Sequence, residues 1–153
     1  MGDHWLILIP RDPEWVPDAD HADKAEHAVD RVTPTREGAI DARAFGHVEF
    51  VHCGENFETI RCPSCGALLD FGWWGERMAA ADRGTAGFGS LDVTTPCCGA
   101  NSTLNDLDYN FPQGFASWSV RVHYANRPWL TAAEREQVEV ALGHAVREIR
   151  LHL

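Results

Sequence analysis

Apolar residues fall into a few runs of different spacing, and each spacing predicts an element. HWLILIP (residues 4–10) is apolar almost throughout and stops at a proline, which predicts a short strand buried on both faces. Between Asp18 and Val32 the apolar positions Ala22, Ala25, Val29 and Val32 lie three and four apart, with acids in the first turn and Thr33-Pro34 at the end. That pattern predicts an amphipathic helix, with His21 and His27 facing solvent. Residues 35–46 read as a loop with at most a short strand, and HVEFVHC (residues 47–53) has strand composition. FASWSVRVHYAN (residues 115–126) alternates. Ala116, Trp118, Val120, Val122 and Tyr124 share one face, and Ser117, Ser119, Arg121 and His123 share the other, so one face is expected in the core and the other wet or binding. LTAAEREQVEVALGH then offers Thr131 as N-cap, Glu134 as its capping-box partner and Gly143 as a C-terminal stop. The last stretch, HAVREIRLHL, reads as a final strand.

The middle of the chain has little periodicity. A short helix is expected over residues 74–83, and the rest of residues 54–115 is rich in turns. With that segment set aside, the order is βαββαβ. This predicts an α+β protein with the ferredoxin-like split βαβ arrangement: an antiparallel sheet with its first and third strands central, both helices on one face, and a zinc-ribbon-like insertion between strands 2 and 3. A chain of 153 residues suits one domain, residues 1–153, with residues 54–115 as the insertion within it.

The insertion carries most of the candidate chemistry. Of the five cysteines, Cys62 and Cys65 lie in RCPSCGALL, a C-P-x-C-G turn. Two residues between thiols let both sulfurs face one ion, the proline stiffens the bend, and Gly66 can take the positive φ that aims backbone N–H groups at the thiolates. Thr95-Pro96-Cys97-Cys98-Gly99 overlays Cys62-Pro63-Ser64-Cys65-Gly66 position for position. Thr95 then stands where the first ligand belongs, and Cys97 stands at the position of Ser64. A tetrahedral zinc site needs four donors, and the simplest closure is Cys62, Cys65, Cys97 and Cys98. The competing set keeps Cys62, Cys65 and Cys98 and recruits Cys53 or His52. Coordination can also replace a missing hydrophobic core in such a segment.

The two turns resemble the knuckles of the zinc-ribbon and rubredoxin-like group over the stretch from Cys62 to Asn101. The resemblance implies structural zinc held by Cys62, Cys65 and Cys98, with Thr95 departing from the pattern. The whole chain also resembles bacterial proteins bearing the same two turns, which implies no activity.

Composition narrows the function. The net charge is −10, and residues 54–108 carry eight acidic and three basic side chains, which disfavours phosphate-backbone binding. An odd cysteine count, a non-basic N-terminus and no long apolar run predict a reduced cytoplasmic chain with no membrane span; the Arg-rich, almost Lys-free composition points to a bacterial origin. There is no H-E-x-x-H, no G-x-S-x-G and no phosphate-binding glycine loop. The favoured expectation is a zinc-stabilised protein-binding module of an acidic inhibitor or immunity type, with Trp73, Trp74, Arg121 and His123 as contact residues. One alternative is a zinc-dependent enzyme with an open site of three cysteines, a bound water, and His123 or Asp106 as base. The other is nucleic-acid binding on the exposed sheet face.

Overall fold

The computed structural model describes residues 2–153. Strands β1 (His4–Pro10), β2 (Ile40–Val51), β7 (Gly114–His123) and β8 (Val146–His152) form one four-stranded sheet in the order β2-β7-β1-β8, and every neighbouring pair is antiparallel. Helices α1 (Ala19–Val32) and α3 (Ala132–Leu142) pack on one face of it. Between β2 and β7 the chain makes an excursion. It contains β3 (Ile60–Arg61), helix α2 (Phe71–Ala81), a 3-10 turn (Gly84–Ala86) and the short strands β4 (Asp92–Thr94), β5 (Asn101–Thr103) and β6 (Asp108–Tyr109). β3 pairs with β6 and β4 with β5, in two separate two-stranded sheets. The class is α+β, with three α-helices and a four-stranded antiparallel sheet.

The helices form where their local signals predict. Asp18 caps α1 by accepting from the His21 N–H at 2.8 Å. In α3 the Thr131–Glu134 capping box is complete, and Gly143 ends the helix in the left-handed conformation at φ 82°. Ala25, Ala28, Val29 and Val32 of α1 and Val138 and Leu142 of α3 meet Leu6 and Leu8 of β1 and Trp118, Val120 and Val122 of β7. Burying each valine or leucine among them contributes roughly 1.5–3 kcal/mol, so the sheet and its two helices form a core without help from the excursion.

Several boundaries differ from expectation. β2 begins at Ile40 rather than near residue 47, because residues 40–44 pair in register with β7 from Val122 to Trp118 despite weak strand propensity. Its register then shifts, and residues 45–48 bulge out opposite Ser117. α2 spans Phe71–Ala81 rather than residues 74–83, and β7 ends at His123, where Tyr124 takes φ 48°. The polar face of β7 is also drier than its alternation predicts. Ser117 is 7% and Ser119 2% exposed, and the Ser117 hydroxyl donates to the Pro13 carbonyl at 2.7 Å, so the 10–15 segment covers that end of the strand. Only Arg121 and His123 remain half-exposed there.

The excursion, where coordination can replace a missing core, also has a hydrophobic core of its own. Ile60, Cys62, Leu69, Val93, Leu104, Tyr109 and Phe115 are buried together, with Phe57, Trp74 and Phe88 packed against them. Phe115 belongs to β7, so this second cluster is rooted in the main sheet. A polar latch adds to the root: Arg147 of β8 donates to the Asn105 and Gln113 carbonyls at 2.8 and 2.9 Å, and the Phe115 N–H donates to Asn105 Oδ1 at 2.9 Å.

Candidate metal centre

The two cysteine turns are copies of one backbone. In the first, the Gly66 N–H donates to the Cys62 carbonyl and the Cys62 N–H to the Ala67 carbonyl, both at 2.9 Å. In the second, the Gly99 N–H donates to the Thr95 carbonyl and the Thr95 N–H to the Ala100 carbonyl, again both at 2.9 Å. Gly66 and Gly99 have φ of 76° and 70°. A Cβ at either would meet nothing within 4 Å, so glycine is required there by the backbone conformation rather than by space. The alignment of Thr95 with Cys62 in sequence is therefore also an alignment of hydrogen bonds.

β3 delivers the first turn and the β4–β5 hairpin carries the second, and the two face one another. One sulfur from each of Cys62, Cys65, Cys97 and Cys98 lies within 4.8 Å of the other three, a set that could hold a metal ion. Cys62 Sγ is 3.8 Å from Cys98 Sγ, and Cys65 Sγ is 3.4 Å from Cys97 Sγ. Four sulfurs on a tetrahedron around zinc at about 2.3 Å are separated by about 3.8 Å, so the donors are spaced to close on one ion with small adjustments. Cys62 is buried, and Cys65, Cys97 and Cys98 are exposed. No disulfide joins any of the five cysteines.

In the first turn, backbone amides favour the thiolate at both sulfurs, but the outcome differs between them. The Cys65 N–H, then the Thr95 hydroxyl, hold the Cys62 thiol down to about 6. At Cys65 the Ala67 N–H acts in the same direction but is outweighed by Cys97, by burial and by the other two cysteines, and that thiol is pushed up to about 12. Four thiolates this close repel strongly, and a divalent cation removes the conflict. Thr95, at the position of the missing first ligand, is 1% exposed, and its Oγ1 lies 3.6 Å from Cys62 Sγ and 3.5 Å from Cys98 Sγ. The residue that broke the sequence pattern thus places a hydroxyl between two sulfurs. The overlay itself was the signal that could have marked it.

The other candidate residues separate. Cys53 is buried in a different cluster, on the sheet face opposite the helices, where its N–H and thiol both donate to Gln113 Oε1 at 3.2 and 3.3 Å. Burial pushes its pKa up. Neither Cys53 nor His52 joins the four sulfurs. Trp74 is turned into the excursion's core, with Nε1 donating to the Tyr109 hydroxyl at 3.1 Å, whereas its neighbour Trp73 lines a cleft against the β4–β5 hairpin. Arg121 and His123 lie on the main sheet. His123 stacks on Trp5 at 4.5 Å and sits 3.3 Å from Asp3 Oδ1. Arg121 opposes Asp41 across the strands, but that carboxylate is taken by Arg43 at 2.9 Å, and Arg121 Nε is buried without an acceptor. Burial and the nearby Arg43 lower its pKa. Asp106 accepts from the Thr103 hydroxyl at 2.9 Å.

No protein-family model matches the chain, and no curated protein or solved structure matches it at a meaningful level. No helix among the described residues is long and apolar enough to cross a membrane.

Proposed function

We propose that the protein is a zinc-stabilised protein-binding module of an acidic inhibitor or immunity type. One observation carries the reading: four cysteine sulfurs from two superimposable turns lie within 4.8 Å of one another on a segment whose own strands are only two or three residues long. Cys62, Cys65, Cys97 and Cys98 would hold the ion. Four thiolates fill a tetrahedron and leave no position for a substrate water, so this donor set favours a structural zinc over the open three-cysteine enzyme site. The net charge of −10 favours a basic protein partner over nucleic acid. Free thiols suit a reducing, cytoplasmic setting.

The architecture is read in the same terms. The all-antiparallel order β2-β7-β1-β8, with both capped helices on one face, supports a ferredoxin-like split βαβ body spanning residues 1–153 as one domain. Residues 54–115 are then its zinc-ribbon-like insertion.

The test is native mass spectrometry combined with thiol labelling. The expected result is one zinc per chain, with slow labelling of every cysteine while zinc is bound. Chelation should release Cys65, Cys97 and Cys98 to fast labelling, and Cys53, which is 0% exposed, should stay slow. A metal-free protein whose labelling ignores chelator would overturn the reading.

A further inference from the structure

We infer that the cleft between α2 and the β4–β5 hairpin is the docking groove of this module, and that its occupant is an extended segment of a basic partner protein. The inference rests on the protein-binding reading above and gives it a place and a chemistry. The cleft measures about 600 Å³ and is lined by Trp73 and Arg77 of α2, by all three residues of β4 and by Asn101 and Ser102 of β5.

Its lining groups are unspent. Trp74 is committed to Tyr109 and ringed edge-on by Phe50 and Phe57 at 6.0 and 5.2 Å. Trp73, beside it in sequence, has no ring partner and no acceptor for Nε1 among the described residues, and that nitrogen is not buried. Among the described residues Arg77, one turn further along α2, forms no ion pair or side-chain hydrogen bond, and the Asp92 carboxylate across the cleft forms none either; the Asp92 N–H donates to Ser90 Oγ at 3.4 Å. A half-buried tryptophan beside an unpaired arginine is the residue pair that most often anchors protein interfaces.

The backbone adds a direction. Leu104 N–H donates to the Leu91 carbonyl at 2.8 Å, and Thr95 N–H to the Ala100 carbonyl at 2.9 Å. Antiparallel bonds alternate along a strand, so Val93 turns its N–H and C=O toward β5, while the Asp92 C=O and the Thr94 N–H and C=O face the open edge, the Asp92 N–H being taken by Ser90 Oγ. An extended segment can add to such an edge, with every second side chain entering the cleft. A lysine or arginine there can lay its stem on Trp73 and give its charge to Asp92, while the Arg77 fork takes carbonyls at the end of the added strand. Asp92 and Arg77 balance within the cleft, and the surrounding segment supplies the acidic field that favours a basic occupant, since residues 54–108 carry eight acidic against three basic side chains. The second cysteine turn closes this hairpin, so the ion that joins it to Cys62 and Cys65 would also fix the width of the groove.

The test pans the full-length, zinc-loaded protein against a displayed library of random dodecapeptides. The expected result is enrichment of peptides with lysine or arginine at alternate positions. Binding should weaken by about tenfold or more in Trp73→Ala and after chelation, and Asp92→Lys should shift the enrichment away from basic residues. Asp92 is exposed, so D92K tests the groove even where W73A perturbs folding; zinc content and circular dichroism check both variants. Enriched basic peptides that bind W73A and D92K as tightly as the parent would overturn the groove and leave the module reading standing. No enrichment, or enrichment of acidic peptides, would overturn the occupant and weaken that reading with it. Trp73-dependent dimers in sedimentation would make the occupant a second copy, which also overturns the inference.

Discussion

The two halves of this molecule are stabilised in opposite ways. The sheet-and-helix body has strands of seven to twelve residues and an aliphatic core shared by neighbouring elements. The excursion has strands of two or three residues and gathers aromatic rings from distant points of the chain, with Phe57 against Tyr109 at 5.7 Å and against Trp74 at 5.2 Å. Two-stranded sheets of that length are not stable alone, and neither cysteine turn carries an aromatic residue. The body thus obeys local pattern, whereas the excursion depends on closures over long stretches of chain, of which the four-sulfur set is the outermost. Removing the proposed ion is therefore the largest expected perturbation, because a structural zinc contributes on the order of 10 kcal/mol to small sites. Chelation, or Cys62→Ser, should abolish amide-exchange protection across residues 62–103 and spare β1, β7, α1 and α3. Simultaneous loss in both regions would mean that they form one cooperative unit.

The same contrast explains what could be read beforehand. β1, α1 and α3 announce themselves through an unbroken apolar run, apolar residues three and four apart, and a complete capping box, all signals contained within one element. The two cysteine turns were legible for a related reason: the frame shared by C-P-S-C-G and T-P-C-C-G is local, and the adjacency of Cys97 and Cys98 left open only which donors converge. The first half of β2 was not legible, since Ala42 and Ala44 carry weak strand preference and are held by pairing with Val120 and Trp118. Nor was the aromatic cluster. Phe57, Trp74, Tyr109 and Phe115 have no common period, and their meeting is decided by the tertiary path.

A smaller perturbation separates the halves by their response to base. The Tyr109 hydroxyl donates to the Leu104 carbonyl at 2.6 Å and accepts from Trp74 Nε1 at 3.1 Å, and burial pushes its pKa up from 10.0 to about 12. The fold favours the neutral phenol, so this contribution is whole below pH 10 and is lost as the pH rises toward 12. Tyr109→Phe should cost the excursion about 1–3 kcal/mol at neutral pH by leaving buried partners unpaired. It should also flatten the alkaline loss of Trp74 fluorescence expected of the parent as Tyr109 ionises. An unchanged alkaline profile in the variant would assign the transition to the cysteines instead.

The smallest expected effect lies in the body and runs the other way with pH. Arg127 grips Glu134 through two bonds of 2.7 Å, and the Thr131 N–H donates to the same carboxylate at 2.9 Å. Those contacts, Arg127 first, hold Glu134 down from 4.5 to about 2. A depressed carboxylate contributes its stability above pH 4.5 and loses it as the pH falls toward 2, so acid should weaken the start of α3. Arg127 also donates to the Val32 carbonyl at 2.7 Å, so the same guanidinium joins the end of α1 to the cap of α3. Glu134→Gln keeps an acceptor for Thr131 but gives up the charge, and should cost about 1 kcal/mol, the size of one helix cap. Urea midpoints should separate parent and variant at pH 7 and converge near pH 2, with the amides of the cysteine turns unaffected at pH 7. A difference that persists unchanged in acid would mean that Glu134 acts through packing rather than charge, and the body would then owe its acid response to other carboxylates.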